Sequence, residues 1–132
     1  MSRTLVMGIL NVTPNSFADG GKYLAKEDAI NQGRRLIAEG ADIIDVGGES
    51  TKPGVERISQ EDELTRVIPV ITELVKDGAT VSVDTMRAEV AKQAIASGAT
   101  YVNDVSGGLA DAKMAGLIAE HPKIQYIAMH WR

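Results

Sequence analysis

The stretch Gly8–Gly21, GILNVTPNSFADGG, begins with apolar residues and ends in residues that form turns. Its apolar part continues a run that starts at Leu5 and stops at Asn11. A short apolar run bounded by such residues predicts a buried β-strand that leads into a polar loop. The same pattern recurs along the chain, and its recurrence decides the fold class.

Five short apolar runs alternate with four segments of helical periodicity. The runs are Leu5–Leu10, Ile43–Val46, Val81–Val83, Tyr101–Val105 and Ile124–Met129. In the segments between them, apolar residues recur three and four positions apart, which predicts amphipathic helices. We expect helix N-caps at Ser59 and Asp111, helix ends at Gly40, Gly78 and Gly98, and a kink or a helix start near Pro69.

This alternation predicts an α/β fold of parallel β/α units. Two architectures fit it, a doubly wound open sheet and part of a (β/α)8 TIM barrel. A complete barrel takes about 250 residues, so the 132 residues would supply about half of one, with five strands and four helices. We expect one domain over 1–132 that is truncated, because the sequence stops at Arg132 directly after a predicted strand.

Composition excludes several classes of function. The net charge of −4 gives no overall attraction to nucleic acid or to anionic membranes. No apolar run has the length of a transmembrane helix, and the N-terminus lacks the apolar core of a secretory signal. Without cysteine, the chain forms no disulfide and has no thiolate chemistry. We therefore expect a cytoplasmic protein that has neither nucleic acid nor a membrane among its partners.

Each predicted strand ends in polar side chains. In chain order they are Asn11, Asp45, Asp84, Asn103 with Asp104, and His130. In parallel α/β folds the carboxyl ends of the strands lie on one face, where ligands bind, so these side chains should converge on one pocket. The Gly47-Gly48 and Gly107-Gly108 pairs suit close approach of backbone amides to anionic oxygens.

Each of these residues also has a structural interpretation that the residue types leave open. Asp84 or Thr85 fits an N-cap of the third helix, and Asn11 fits an Asx-turn. His130 fits a hydrogen-bonded core histidine better than a metal ligand, since no partner stands at ligand spacing. Alternatively, the Asn11 carbonyl oxygen suits Mg²⁺, which commonly joins few protein ligands to substrate phosphates. Dinucleotide and Walker A loops are absent from the sequence.

The motifs GILNVTPNSFADGG, DIIDVGGESTKPG, VSVDT and YVNDVSGG, in this order, resemble those of dihydropteroate synthases over essentially the whole chain. The resemblance implies a TIM-barrel transferase of folate biosynthesis. Such enzymes condense 7,8-dihydropterin-6-ylmethyl diphosphate with p-aminobenzoate, giving 7,8-dihydropteroate and pyrophosphate. It also implies Mg²⁺ as cofactor, sulfonamides as inhibitors, and a homodimer for full-length members.

The resemblance carries residue roles with it, motif by motif. It implies that Asn11 contacts the diphosphate and its Mg²⁺, and that Thr51 also reaches the diphosphate. Asp84 and Asn103 would bind the hydrogen-bonding edge of the pterin, with Asp84 as the catalytic carboxylate. The flat pterin slot and the p-aminobenzoate pocket would be lined by apolar side chains, namely Val105 and Met129 for the slot, and Phe17 and Pro53 for the pocket.

The chain also departs from the usual family pattern. Asn15, Ala18 and Lys52 stand where Asp, Ser and Arg are usual. The later strands of the family, which supply another pterin-binding Asp, a lysine and an Arg-x-His anion site, have no counterpart. We therefore predict that these 132 residues alone do not turn over substrate. Two alternatives stay open, a non-catalytic pterin- or diphosphate-binding paralogue and a half-barrel that assembles with another chain.

Overall fold

The computed structural model describes residues 5–12, 21–48, 58–106 and 110–128, with the side chains of 21–25 and 128 left aside. Within these ranges the chain forms the predicted strands and helices in the predicted order. They are β1 (Met7–Asn11), α1 (Gly21–Ala38), β2 (Ile43–Gly47), α2 (Gln60–Lys76), β3 (Val81–Asp84), α3 (Ala88–Ala96), β4 (Tyr101–Asp104), α4 (Met114–Glu120) and β5 (Gln125–Ala128).

The strands form one parallel sheet in the order β1-β2-β3-β4-β5. A doubly wound sheet reverses its strand order at a switch point. Here every strand is added beside its predecessor, and right-handed crossovers then place the connecting helices on one face of the sheet. The structure thus selects the barrel interpretation, and the fold is about half of a (β/α)8 barrel.

The core lies between the helices and one face of the sheet. Alternate strand residues such as Leu10, Val46 and Val83 are fully buried on this face. They pack in one cluster with helix residues that include Ile71 and Ala94. Burying each large aliphatic side chain stabilises the fold by roughly 1.5–3 kcal/mol. The polar strand-end residues, which alternate with these positions, mostly point to the opposite, helix-free face.

The predicted helix ends at Gly40, Gly78 and Gly98 are confirmed. Their φ angles are +111°, +89° and +113°, a left-handed conformation that glycine adopts without a steric penalty. Ser59 is confirmed as the N-cap of α2, since its hydroxyl accepts a hydrogen bond from the Asp62 N–H at 3.1 Å. Among the helices of the described ranges, none combines the length and apolarity needed to cross a membrane.

Two expectations about helix starts are wrong. Of the two alternatives given for Pro69, a kink or a helix start, the helix start is wrong, because Pro69 lies inside α2, which begins at Gln60. The N-cap residue of α4 is Lys113 and not Asp111. Asp111 instead accepts the Lys113 N–H at 2.9 Å and the Ala88 N–H at 2.7 Å. Asp111 therefore ties the start of α4 to the first residue of α3, and these two bonds lower the pKa of its carboxyl.

Candidate active site

The carboxyl ends of four strands meet in a single row. Asn11 pairs with Gly47, Gly47 with Asp84, and Asp84 with Asn103. Directly paired residues of neighbouring parallel strands point to the same side of a sheet. The row therefore places three of the predicted site residues on the helix-free face, one from each of β1, β3 and β4.

Gly47 gives this row its shape. A Cβ atom at position 47 would lie 3.2 Å from both the Cβ and the Oδ2 atom of Asp84. Such contacts are too close to be accommodated without movement, so a glycine here lets the Asp84 side chain lie over β2. The Asp84 carboxylate is thus held on the side of β3 that faces the exposed Asn11.

A polar layer lies directly beneath the row, formed by Asp45 on β2 and its register partner Ser82 on β3. The exposed fractions of the two residues are 1% and 0%. The Asn103 Nδ2 donates a hydrogen bond to Asp45 Oδ2 at 3.1 Å. Burial raises the pKa of the Asp45 carboxyl, while the nearby Ser82 hydroxyl and the Asn103 amide lower it in part.

Three polar atoms, two in this layer and one in the row above it, are shielded from solvent and have no hydrogen-bond partner within the described ranges. They are Asp45 Oδ1, Ser82 Oγ and Asn103 Oδ1. A buried polar atom without a partner costs about 1–3 kcal/mol, so native structures rarely keep several together. Their grouping beside and beneath Asp84 points to a polar ligand, or to bound water, that supplies the missing bonds.

The start of α3 tests the alternative interpretation that Asp84 or Thr85 is the N-cap of this helix. Arg87 is the N-cap residue of α3, and the Thr85 hydroxyl accepts its N–H at 3.1 Å. The next N–H group, that of Ala88, donates to Asp111. Thr85 therefore supports the helix start, in line with the structural interpretation, and the N–H groups of Arg87 and Ala88 have acceptors other than Asp84.

The Asn103-Asp104 pair divides between the two faces of the sheet. Asp104 is fully buried, and its carboxylate accepts hydrogen bonds from the Tyr126 hydroxyl at 2.9 Å and from the N–H and hydroxyl of Ser106 at 2.9 and 2.7 Å. Burial, together with the neighbouring carboxylate, raises the pKa of Tyr126 to about 12. Asp104 thus fixes the turn that contains Val105, and Asn103 is left to face the site.

A buried ion pair holds the segment that precedes α2. Arg87 Nη1 lies 2.6 Å from Glu63 Oε1, and its Nη2 donates to the Ile58 carbonyl at 2.7 Å. Arg66 donates to the Gly48 carbonyl at 3.0 Å. These arginines hold Gly48 and Ile58, the described residues on either side of 49–57.

Comparison with known proteins assigns the chain to a protein family. Residues 7–132 match the family described as pterin binding enzyme. The chain belongs to that family. It is 56% identical over 127 residues to the dihydropteroate synthase of Mycobacterium leprae (strain TN), an alignment that covers 96% of this chain and 44% of that protein. The predicted resemblance to dihydropteroate synthases is confirmed.

Solved structures of pterin-binding relatives show the same likeness. A dihydropteroate synthase of Xanthomonas albilineans with 4-aminobenzoic acid is 45% identical, with a TM-score of 0.88, and the match covers 98% of this chain and 48% of that one. The enzyme of Anaplasma phagocytophilum with bound 6-hydroxymethylpterin-monophosphate is also 45% identical, with a TM-score of 0.88, and the match covers 97% and 49%. The chain therefore spans about half the length of these relatives.

Half of the predicted site residues fall within the described ranges. The row contains Asn11, Asp84 and Asn103, and Val105 follows β4 directly, partly buried. The other four predicted residues lie outside the described ranges, namely Phe17, Thr51, Pro53 and Met129. Sequence reasoning placed Asp45 among the polar side chains expected to converge on one pocket, but it gave this residue no specific partner or role. It missed Glu63 altogether, for which the local sequence carries no signal.

Proposed function

We propose that the protein is a dihydropteroate synthase, a transferase that joins p-aminobenzoate to the methylene carbon of 7,8-dihydropterin-6-ylmethyl diphosphate and releases pyrophosphate. One observation carries the proposal, the row of Asn11, Asp84 and Asn103 above the buried Asp45 layer. Family membership and the ligands named for the solved relatives support it.

The chemistry of a pterin ring suits this end of the row. Its edge carries N–H and amino donors beside carbonyl and ring-nitrogen acceptors. A carboxylate such as that of Asp84 accepts from the donors in charge-assisted hydrogen bonds, and the Asn103 amide can both accept and donate. As pyrophosphate leaves, positive charge develops on the pterin, and the nearby Asp84 carboxylate stabilises that charge.

At the other end of the row, Asn11 suits the diphosphate and Mg²⁺. Asn11 is exposed at the tip of β1 and offers one neutral oxygen. The described ranges contain no group of three or more His, Cys, Asp or Glu residues able to hold a metal. That fits Mg²⁺, which takes few protein ligands and keeps water and phosphate oxygens around it. Asn11 would hold the ion, and Mg²⁺ when bound would neutralise charge on the leaving pyrophosphate.

The remaining parts of the proposal concern residues and properties outside the described structure. Phe17 and Pro53 would contact p-aminobenzoate, and Met129 would line the pterin slot with Val105. Thr51 would reach the diphosphate from the segment between Gly48 and Ile58. We further propose a sulfonamide-sensitive, cytoplasmic protein that forms a homodimer at the full length of its relatives.

The test is turnover by a full-length protein that carries these residues. With dihydropterin diphosphate, p-aminobenzoate and Mg²⁺, we expect pyrophosphate release that stops when p-aminobenzoate is omitted. Pterin binding without pyrophosphate release would favour the non-catalytic paralogue. Turnover by residues 1–132 alone would contradict the prediction that this segment is inactive, and a discrete dimer of that segment would favour the assembling half-barrel.

A matched pair of variants tests the role given to Asp84. Replacing the carboxylate by an amide, Asp84→Asn, removes the charge that stabilises the cationic pterin. We expect kcat to fall about 100-fold, equivalent to about 2.7 kcal/mol of transition-state stabilisation. Asp62→Asn, an exposed change in the first turn of α2, is the control. Equal rates for both variants would contradict the assignment.

A further inference from the structure

Asp45 in the polar layer accepts a hydrogen bond from the Asn103 amide in the row above it, and this bond bears on ligand recognition. We propose that Asp45 is a positioning residue, which fixes the orientation of the Asn103 amide and so sets the hydrogen-bonding groups that the site offers to a pterin. The inference rests on the function proposed above. It concerns a residue that lies one layer below the row and acts through Asn103.

The strand register explains how the two side chains meet. Asp45 pairs with Ser82, Ser82 pairs with Tyr101, and Asn103 lies two residues beyond Tyr101 on the same face of β4. The hydrogen bond from Asn103 to Asp45 therefore runs diagonally across β3, above Ser82. Adjacent strands are about 4.8 Å apart, so the two side chains and the bond between them together reach across two strand spacings. The bond needs a short side chain at position 82, and serine is one.

Chemistry then fixes which end of the amide faces Asp45. The oxygen and nitrogen ends of an asparagine amide have nearly the same shape, and the hydrogen-bond partners decide its orientation. In its ionised form the Asp45 carboxylate has acceptors only. Turning the amide over would then set Asn103 Oδ1 against an Asp45 oxygen, two acceptors in contact within a layer that solvent does not reach. While Asp45 is ionised, Asn103 is therefore held with its nitrogen toward Asp45 and its oxygen away from it.

This orientation has a consequence for recognition. With the nitrogen committed to Asp45, the Asn103 Oδ1 is kept as an acceptor, a buried atom that has no partner within the described ranges. A turned amide would offer a donor in the same place. A ligand donor would then meet a donor and lose its bond, so the identity of residue 45 decides what residue 103 recognises.

The experiment uses a full-length protein that carries these residues, with 6-hydroxymethylpterin-monophosphate as the probe. Asp45→Asn has the same shape but presents either an amide nitrogen or an oxygen to Asn103. We expect the Kd of the probe to rise between about 10-fold and 100-fold. The control Asp62→Asn makes the same carboxylate-to-amide change at an exposed position of α2 and leaves the Asp45 carboxylate in place. Its Kd should stay within about threefold of the parent protein.

A reciprocal exchange tests whether the pairing with residue 45 sets what position 103 offers. The double variant Asp45→Asn with Asn103→Asp restores an amide beside a carboxylate, with the two positions exchanged. We expect its thermal stability and its probe affinity both to return toward those of the parent, because the second oxygen at position 103 again faces the ligand as an acceptor. Recovery of stability without any recovery of affinity would overturn the proposal. So would a folded Asp45→Asn single variant that binds the probe within threefold of the parent.

A ligand-free measurement keeps this inference distinct from the proposed function. In ¹⁵N-resolved NMR spectra, the Asn103 side-chain amide should show one proton shifted downfield by its bond to the Asp45 carboxylate. Asp45→Asn should remove that shift, and the control Asp62→Asn should keep it. Failure of the parent protein to bind the probe, with this pattern intact, would contradict the proposed function alone. An Asn103 signal that is unchanged in Asp45→Asn would overturn the positioning role.

Discussion

Breaking the buried ion pair between Arg87 and Glu63 should be among the most damaging single changes in the chain. The Glu63 side chain is 1% exposed and that of Arg87 19% exposed, with 2.6 Å between their charged atoms. Arg87→Met would leave the Glu63 carboxylate buried without its partner and the Ile58 carbonyl without its donor. Removing one partner of a buried pair costs about 3–5 kcal/mol. We expect the free energy of unfolding to fall by that amount.

Arg34→Met is the matched control. Arg34 and Asp77 form an ion pair of nearly the same length, 2.7 Å, but their side chains are 49% and 34% exposed. Water screens such a pair and solvates the partner that remains, so the loss should be several times smaller. Urea unfolding followed by circular dichroism would give both free energies, provided that the slope of each transition is unchanged.

The double variant Arg87→Met with Glu63→Gln completes the design. It removes both charges, so its free energy of unfolding should exceed that of Arg87→Met alone, because no charged group is left buried without a partner. Equal losses for Arg87→Met and Arg34→Met would refute the reasoning. They would mean that burial does not determine how much the Arg87–Glu63 pair contributes to the free energy of unfolding.

Three further changes test other parts of the structure. Gly98→Ala would place a Cβ 2.6 Å from Val75 Cγ1, so it should destabilise the fold by about 1–3 kcal/mol more than Gly78→Ala, which has a similar φ but meets nothing within 4 Å; equal thermal midpoints would contradict this. The pKa of Tyr126 is raised from 10 to about 12, so its contribution to stability should be complete below pH 10 and lost as the pH rises toward 12. Unfolding measured across that range should show Tyr126→Phe to be less stable below pH 10 and without this loss. Asn11→Ala should weaken Mg²⁺-dependent binding of the pterin diphosphate, measured by calorimetry on a full-length protein, and unchanged affinity would return Asn11 to a turn role.

Local patterns in the sequence were enough to predict the strands and helices. Apolar spacing and glycines determine these elements, and both can be read within a window of a few residues. The strand order was not predictable in this way, because it depends on which strands pair across the crossovers. The doubly wound alternative therefore stayed open until the order β1 to β5 was known.

The site was predictable to the extent that it follows from strand ends. Parallel strands share one carboxyl edge, and the sequence therefore predicted correctly that the site would contain Asn11, Asp84 and Asn103 side by side. The role of Asp45 depends on a partner 58 residues away, and that of Glu63 on one 24 residues away. No local pattern encodes such pairings. The prediction of Asp111 as an N-cap was wrong for the same reason, since the second hydrogen-bond partner of Asp111 is 23 residues distant, at the start of α3.

The unbroken strand order bears on how the protein is made. Each strand pairs with strands that are its neighbours in sequence, so every β/α unit can dock on a finished edge as the chain leaves the ribosome. Synthesis at about 5–20 residues per second allows seconds for each addition. We expect the site to be assembled in the same sequence, with Asn11 first, then Asp84, and with Asn103 meeting Asp45 once β4 joins.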